Sequence, residues 1–342
     1  MRAMGAETCA GLDAGLKARV ARCSSRTVTP RTSAMQLVHG VITAIVTPMM
    51  DDGAIDIETF RELVSWQIEL GVRGLVIAGT TGEVSTLCRA EHIALVGEAV
   101  QIARGRACII AGAGSNSTNE AIELTRHARD VGADAALQVV PYYNKPTQDG
   151  LYHHFRAIAE AVDMDLVLYN VPSRVGTKLH PYTTARLSHV PGIVGVKDTE
   201  PSMLSMYRLL RMHGVRHGFK VYSGDDMTSQ GGVRLGAYGV VSVASNLAPA
   251  LCVRLHANGA SGAPSDEALL PDSLRRRMFA HANPMPIKHA LHKAGLVRRG
   301  IRPPLTWLPC TPGIELCSIA RRSCSVGDGD ESPSLLLPGL NV

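Results

Sequence analysis

Two reactive side chains stand near the ends of strand-like segments. Tyr169 lies in LVLYNVP, and Lys197 lies in GIVGVKD. Burial of a lysine at the end of an apolar strand penalises the charged ammonium and favours the neutral, nucleophilic amine. Because neutral amines attack ketones, the pair predicts an enzyme that forms a Schiff base with a carbonyl substrate.

Further polar residues follow neighbouring strand-like segments. AGTTGE contributes Thr80 and Thr81, whose hydroxyls and backbone N–H groups suit a small carboxylate. PYYN supplies two tyrosines, and YNVPSRVG supplies Arg174. The set predicts a keto-acid substrate, whose carboxylate the threonines hold while Lys197 attacks its carbonyl.

The elements that must position these residues alternate along the chain. Amphipathic stretches such as 57–70 and 90–103, with apolar residues spaced by three and four, predict helices between the strands. Eight such repeats predict an α/β fold, a (β/α)8 TIM barrel with additional C-terminal helices, and a doubly wound open sheet is the alternative. The strand candidates are GVITAIVTP (from residue 40), GLVIAG (74), ACIIAGAG (107), AALQVVP (135), LVLYNVP (166), GIVGVKD (192), FKVYSGD (219) and GVVSVAS (239).

Each candidate site residue also has a purely structural interpretation. GTTGE is a common turn, and Tyr142 and Tyr143 could be rim aromatics whose hydroxyls reach solvent. Lys197 could extend to water, and Arg174 could pair with a surface acid. All of them, however, map to the C-terminal face of one predicted barrel, where active sites of this fold lie, so joint function is favoured.

The pattern divides the chain into four parts. Residues 1–35 are rich in Arg, Ser, Thr and Ala, as in an organellar transit segment or in sequence upstream of a start at Met35. Residues 36–246 are the predicted barrel, and a helical region follows over 247–300. Residues 301–342 lose this periodicity and predict an irregular, partly disordered tail. The expected location is the cytoplasm, or a plastid if the first segment is a transit peptide.

Charge and composition exclude several classes of function. Residues 1–35 hold +4 of the net charge of +5, and residues 301–342 hold −1, which leaves +2 between them. This balance, with 4% aromatic residues, does not suit a nucleic-acid partner. No apolar run reaches the roughly 18 residues of a membrane span. The eight cysteines lack CxxC spacing, so neither a metal site nor a disulfide framework is expected, and Cys88 and Cys108 are predicted to be reduced thiols.

Residues 40–297 resemble the dihydrodipicolinate synthase family of pyruvate-dependent aldolases. The resemblance lies in AIVTPM, GTTGE, PYYNKPTQDGLYHHF, YNVPSRVG, GVKD, SGDD and NPMPIK. GTTGE and YNVPSR with a later lysine mark the superfamily, and the arginine of YNVPSRVG is the narrower marker. The resemblance implies condensation of pyruvate with L-aspartate 4-semialdehyde, in the diaminopimelate route to lysine.

The resemblance also implies a catalytic role for four residues. Lys197 would form the imine with pyruvate, and Tyr169 would relay protons to and from it. Thr80 and Tyr143 would complete the relay. Tyr143 resembles the tyrosine that the family inserts into a neighbouring subunit's site, which implies a homo-oligomer arranged as a dimer of dimers.

Substrate contacts are implied in the same way. Thr81 and the backbone at Val241 would hold the pyruvate carboxylate, and Arg174 would bind the carboxylate of aspartate semialdehyde. The imine makes a metal or an organic cofactor unnecessary. The family's lysine-inhibition pocket would lie at Ser85, His92, Asn116, Glu120 and Tyr142, with Arg89 in place of a histidine often found there. The alternative role for Glu120 is to cap a helix turn.

Two other functions stay open. Another pyruvate-dependent aldolase, for sugar acids or 4-hydroxy-2-oxoglutarate, would keep the chemistry of Lys197, but Arg174 argues against it because sugar substrates lack a carboxylate at that end. The other is a catalytically silent barrel that serves as a binding or assembly subunit. It is suggested by the tail, where Pro and Gly interrupt the helix with which relatives finish, and is opposed by the complete set of site residues.

Overall fold

The protein folds into a closed barrel of eight parallel strands with helices between them, which confirms the predicted (β/α)8 class. This computed structural model describes residues 37–262, 278 and 280–308. Seven strands fall within predicted segments, and β5 begins one residue before its segment, at Asp165. The strands are β1 (Gly40–Ala44), β2 (Gly74–Ile77), β3 (Cys108–Gly112), β4 (Ala135–Val139), β5 (Asp165–Asn170), β6 (Ile193–Asp198), β7 (Lys220–Ser223) and β8 (Gly239–Ser242).

Helices cover the outside of the barrel. Short 3₁₀ turns follow β2 and β8, at Val84–Thr86 and Ala244–Asn246. In the described residues the α-helices are α1 (Ile57–Glu69), α2 (Arg89–Ala103), α3 (Thr118–Asp130), α4 (Gln148–Ala161), α5 (Pro172–Val175), α6 (Pro181–Ser188), α7 (Met203–Leu210), α8 (Ser229–Leu235), α9 (Pro249–Ser261) and α10 (Met285–Lys293).

Helix α1 illustrates how the sequence sets the local structure. Asp56 caps its first turn, since the carboxylate accepts a hydrogen bond from Thr59 N at 3.1 Å. Phe60, Leu63 and Val64 recur at helical spacing and are buried in the core. Strand β1 is buried along its whole length, because its inner face fills the barrel and its outer face lies under helices.

Pairing of β8 with β1 closes the sheet. Asn246 fastens this closure, because its Oδ1 accepts a hydrogen bond from Val46 N at 3.0 Å and its Nδ2 donates to Ala44 O at 2.8 Å. Gln67 of α1 supports the same corner by accepting from Thr43 Oγ1 at 2.7 Å. These side chains are buried, so their polar groups are satisfied inside the protein.

The C-terminal segment packs back onto the barrel. Helices α9 and α10 follow β8, as expected for the additional C-terminal helices. Residues 301–308 form no helix or strand, yet the Trp307 ring lies 5.6 Å from that of His289 and 5.2 Å from that of His292, centroid to centroid. The predicted extension over 1–35, the helical stretch around 273–282 and the tail beyond 308 lie wholly or partly outside the described residues.

The cysteines differ from expectation at one position. Cys108 and Cys252 are free and buried, whereas Cys88 is disulfide-bonded, so its prediction as a reduced thiol is wrong. Sequence spacing does not reveal which cysteines a fold brings within bonding distance. Within the part of the chain that the structure describes, no helix is both long enough and apolar enough to cross a membrane.

Asn246→Leu should lower the free energy of unfolding by about 2 to 5 kcal/mol, because it leaves the buried groups Val46 N and Ala44 O without partners. Urea denaturation measures this change. The exposed substitution Ser261→Ala serves as the control and should change stability by less than about 0.5 kcal/mol. Equal stability of the two variants would show that Asn246 does not hold the closure.

Candidate active site

A cavity of about 650 Å³ opens at the C-terminal ends of the strands, where barrels of this class carry their active sites. Its wall is built from the turn after β2, from β5 and β6, from the loops after β7 and β8, and from residues 280–283. The predicted residues in the wall are Thr80, Thr81, Tyr169, Arg174 and Lys197. The fold thus brings together the amine, phenol, hydroxyls and guanidinium that the sequence predicted to act at one site.

Strands β5 and β6 place Lys197 directly opposite Tyr169. The residues are 6% and 7% exposed, and Lys197 Nζ lies 4.3 Å from the centroid of the Tyr169 ring. Both side chains face the inside of the barrel and line the cavity. A molecule bonded to the amine would therefore lie beside a phenol that can transfer protons.

Gly224, after β7, leaves the room that the lysine side chain occupies. A Cβ at this position would stand 2.7 Å from Lys197 Cε, which is closer than real Cβ atoms come to other atoms. Gly224 N also donates a hydrogen bond to Asp198 O at 2.7 Å, which links the ends of β6 and β7. The SGDD motif contains this glycine, but the sequence analysis did not identify its contact with the lysine.

The turn after β2 is left-handed at two positions. Ala78 and Glu83 have φ angles of 51° and 58°, in a region that non-glycine residues seldom adopt. Between them Thr81 is buried, and its Oγ1 accepts a hydrogen bond from Asn283 Nδ2 at 2.7 Å. Since Oγ1 accepts that bond, the Thr81 hydroxyl hydrogen can be donated to a carboxylate in the cavity.

A buried ion pair fixes this turn from outside the barrel. Glu83 Oε1 and Lys288 Nζ of α10 are in direct contact, and both side chains are 0% exposed. Burial lowers the pKa of Lys288, and the Glu83 carboxylate opposes that shift. Arg302 N donates to Glu83 Oε2 at 3.2 Å, so both carboxylate oxygens have partners. The sequence analysis missed this pair, although GTTGE and NPMPIK contain its two members.

Arg302 extends the same network to helix α2. Its Nη1 and Nη2 donate to the two carboxylate oxygens of Glu91 at 2.8 and 2.7 Å. Burial alone would raise the pKa of Glu91, but the hydrogen bonds from Arg302 and from Cys88 N outweigh it and lower that pKa. A residue of the predicted irregular tail thus anchors the helix that follows the threonine turn.

Arg174 stands exposed at the wall of the cavity on α5. Its Nη2 donates a hydrogen bond to Asn283 O at 3.1 Å. Asn283 therefore contacts two predicted carboxylate-binding residues, Thr81 through its side chain and Arg174 through its carbonyl. Its Oδ1 is buried without a hydrogen-bond partner among the described residues, so it can accept a bond from a molecule in the cavity.

Two predicted residues lie apart from this set. Tyr143 is 89% exposed at a φ of 72° and does not line the cavity of its own chain. Val241 is buried within β8, and the residue of that strand end in the cavity wall is Val243. The geometry of one chain therefore supplies no contact for either prediction.

A second cavity of about 520 Å³ adjoins the first. The two share six wall residues, among them Thr80, Tyr169 and Arg174. Of the residues predicted for the lysine pocket, the structure places five in this wall, namely Ser85, Arg89, His92, Glu120 and Tyr142. Asn116, the sixth, donates from Nδ2 to Tyr142 O at 3.3 Å and so lies beside the cavity.

Polar groups in the second cavity are partly committed to the protein. Arg89 pairs with Glu123 at 2.9 Å on the surface, and Glu120 accepts a hydrogen bond from Ser115 Oγ. His92 Nε2 is 2.7 Å from Gly112 O, and burial lowers the pKa of this histidine. Its Nδ1 is buried without a partner among the described residues.

Covalent chemistry at an amine is what this site can perform. A buried lysine faces a phenol, and hydroxyl and guanidinium donors that bind carboxylates stand in the same wall. In the residues that the structure describes, no three His, Cys, Asp or Glu side chains are grouped so that they could hold a metal ion.

Comparison with known proteins gives one consistent family. The model of the dihydrodipicolinate synthetase family matches residues 37–311. A protein of Thiobacillus denitrificans named 4-hydroxy-tetrahydrodipicolinate synthase is 50% identical over 273 residues, which cover 78% of this chain and 91% of the relative.

Solved structures give the same result. Dihydrodipicolinate synthase from Acinetobacter baumannii, complexed with pyruvate, has a TM-score of 0.77 and 44% identity over 84% of this chain and 99% of its own. The enzyme from Cyanidioschyzon merolae, with lysine bound, has a TM-score of 0.77 and 36% identity over 83% of this chain and 97% of its own.

Lys288→Met should lower the free energy of unfolding by about 3 to 5 kcal/mol, because it leaves the Glu83 carboxylate buried without its partner. Adding Glu83→Gln should recover most of the loss, since no unpaired charge then remains. Chemical denaturation of both variants measures the effect, with exposed Lys145→Met as the matched control. A double variant as unstable as the single one would count against the ion pair as the cause.

Proposed function

The chain belongs to the dihydrodipicolinate synthetase family, and we propose that Lys197 is the residue through which it acts. The protein is a Schiff-base-forming lyase of the class I aldolase type, which condenses pyruvate with L-aspartate 4-semialdehyde in the diaminopimelate route to lysine. The observation that supports Lys197 is its buried position in the cavity wall, 4.3 Å from the Tyr169 ring.

The first half of the reaction makes a nucleophile from pyruvate. The neutral amine of Lys197 attacks C2 of pyruvate, and loss of water from the adduct gives the imine. The protonated imine withdraws electrons from C3, so that removal of a C3 proton gives an enamine. Tyr169 transfers these protons. Thr80, in the same cavity wall, is the next member of the proposed proton relay.

The second half joins the two substrates. Arg174 binds the carboxylate of aspartate semialdehyde by charge-assisted hydrogen bonds. Carbon C3 of the enamine attacks the aldehyde carbon and forms the new C–C bond. The substrate's own amine then attacks C2, which closes the ring and releases the amine of Lys197.

Thr81 holds the pyruvate carboxylate during these steps. Its position is supported by the bond from Asn283, which leaves the hydroxyl hydrogen of Thr81 for the substrate. The backbone at Val241 is proposed as the second carboxylate contact. Because the iminium already withdraws the electrons that the reaction displaces, we propose that the enzyme needs no added cofactor or metal.

Assembly into a homo-oligomer completes the proposed relay. Tyr143 is 89% exposed on a left-handed turn, which suits a side chain that enters the site of a neighbouring copy. We propose a dimer that supplies Tyr143 in this way and pairs into a tetramer. Pyruvate is an anion and aspartate semialdehyde is a zwitterion, so both cross lipid poorly, which supports a cytoplasmic location.

Lysine is the proposed ligand of the second cavity. The Cyanidioschyzon merolae enzyme described with lysine bound motivates this choice. Glu120 in the wall would face the ligand's ammonium groups, and the buried unpaired Nδ1 of His92 supplies a further polar contact. Arg89 stands where the family often has a histidine. Because Arg89 is cationic, it would weaken binding of a cationic ligand.

The two alternative functions lack such support. The relatives compared carry the synthase name rather than that of an aldolase for sugar acids or 4-hydroxy-2-oxoglutarate. A catalytically silent barrel would not require the lysine, phenol and guanidinium to share one cavity.

Lys197→Ala should abolish turnover and leave the fold intact, because it removes the only proposed covalent anchor. Mass spectrometry after borohydride treatment with pyruvate should find the reduced adduct on the wild-type protein and not on this variant. Lys220→Met is a matched control, since Lys220 also stands over a tyrosine ring, 4.9 Å from that of Tyr238, but outside the cavity. An adduct that persists in Lys197→Ala would identify a different nucleophile.

Arg174→Ala should lower kcat/KM for aspartate semialdehyde by about 10- to 100-fold, because a charged hydrogen bond contributes roughly 1.5 to 3 kcal/mol. The KM for pyruvate should change by less than about threefold in steady-state assays, since Thr81 holds that substrate. Arg174→Lys should recover only part of the loss, because an ammonium cannot pair with a carboxylate through two N–H groups. Equal losses for the two substrates would remove Arg174 from this role.

A further inference from the structure

The residues that follow Tyr169 and Lys197 form a second pair on the opposite face of the same strands. Asn170 stands opposite Asp198 in the register of β5 and β6. Tyr169 and Lys197 line the cavity, whereas Asn170 and Asp198 line a small space between the strands and the surrounding helices. This is the alternation that a β-strand imposes on successive side chains.

The outer pair is buried and hydrogen-bonded. Asn170 and Asp198 are 4% and 5% exposed, and Asn170 Nδ2 donates to Asp198 Oδ1 at 3.2 Å. Asn170 Oδ1 accepts from Leu179 N at 2.9 Å, and Asp198 Oδ1 accepts from Glu200 N at 3.0 Å. The pair therefore joins the two strand ends to the loops that follow them.

The pairing of strands β5 and β6 is irregular at one point. The register shifts between Leu166, opposite Ile193, and Val167, opposite Gly195. Beyond this shift four consecutive pairs keep one register, and Asn170 with Asp198 is the last of them. A slip of one residue would turn a catalytic side chain to the other face of the sheet.

We propose that Asn170 and Asp198 are positioning residues, whose hydrogen bond on the outer face holds Lys197 opposite Tyr169 on the inner face. The proposal rests on the proposed imine chemistry of Lys197. It deepens that chemistry by assigning the geometry of the amine and phenol to a pair that contacts no substrate.

A competing role for Asp198 is electrostatic, as a negative charge near the iminium of Lys197. Asp198→Asn separates the two roles, because it removes the charge and keeps an oxygen that accepts the bond from Asn170. Asn170→Asp keeps the charge of Asp198 and breaks the hydrogen bond, because it replaces the donor amide with a second carboxylate.

Asn170→Asp should lower kcat by about 10- to 100-fold, because a displacement on the order of 1 Å at reacting groups has effects of that size. Its KM for pyruvate should stay within about threefold of wild type, since Thr81 and the carboxylate contacts are unchanged. Asp198→Asn should stay within about threefold of wild type in kcat, because its side-chain oxygen still accepts the bond from Asn170. If Asn170→Asp does not fold, Asn170→Leu, which removes the donor without adding charge, carries the same expectation.

Thr125→Val is the matched control. It breaks a buried bond between an outer-face strand amide and a helix, from Gln138 Nε2 to Thr125 Oγ1 at 2.8 Å, on β4, which pairs with β5 but not with β6. This variant should be less stable than wild type, while its folded fraction keeps the wild-type kcat. A loss of kcat in the Asn170 variants is then not explained by lower stability alone.

Two results would overturn the positioning role. One is a folded Asn170→Asp or Asn170→Leu variant with kcat within about twofold of wild type, and the other is an Asp198→Asn variant as slow as Asn170→Asp. The wild-type protein is tested first for the borohydride-reduced adduct on Lys197. Its absence refutes the proposed function together with this role, whereas an adduct with unaffected variants refutes the positioning role alone.

Discussion

Closure of the parallel sheet by the pairing of β8 with β1 is the constraint on which the site depends. In a closed parallel barrel every strand points its carboxyl end to the same rim, so side chains distant in sequence converge there. The threonine turn follows β2, and the lysine and phenol lie on β6 and β5. An open sheet would spread these residues along an edge. The amide of Asn246, which bonds to the backbone on both sides of Ile45, therefore helps to hold the barrel shape that brings these residues together.

The barrel alone does not complete the site. The threonine turn is strained at Ala78 and Glu83, and such backbone persists only when its surroundings fix it. Those surroundings come from the C-terminal segment, through the buried contact of Lys288 with Glu83 and the bond of Asn283 to Thr81. A buried ion pair stabilises weakly in net terms but strongly disfavours any arrangement that separates its members. The segment after the barrel thus belongs to the active site although it contributes no strand.

The sequence predicted the strands and the central pair well, and the reason is local. Period-two patterns and β-branched runs identify strands, and the strand ends then identify Lys197 and Tyr169 as inward-facing neighbours. Contacts of long sequence separation were missed, such as that between Asn283 and Thr81, 202 positions apart. The register shift after Leu166 was likewise invisible, because no residue pattern marks it. For Cys88 the same limit gave a wrong prediction, since its bonding depends on which chain segments meet.

The shared wall of the two cavities bears on how a ligand in one could affect the other. Tyr169 and Arg174 line both, and the Tyr169 ring also faces the Lys197 amine. A ligand in the second cavity that contacts either side chain alters its orientation or its charge environment directly, without a path of intermediate residues. Such coupling is reciprocal for binding: if the proposed imine on Lys197 changes the affinity of the second cavity for a ligand, that ligand changes the affinity for pyruvate by the same factor. The size of this coupling would depend on how much the positions of Tyr169 and Arg174 differ between the free and the imine-bound enzyme. The distance between the cavities would not set it.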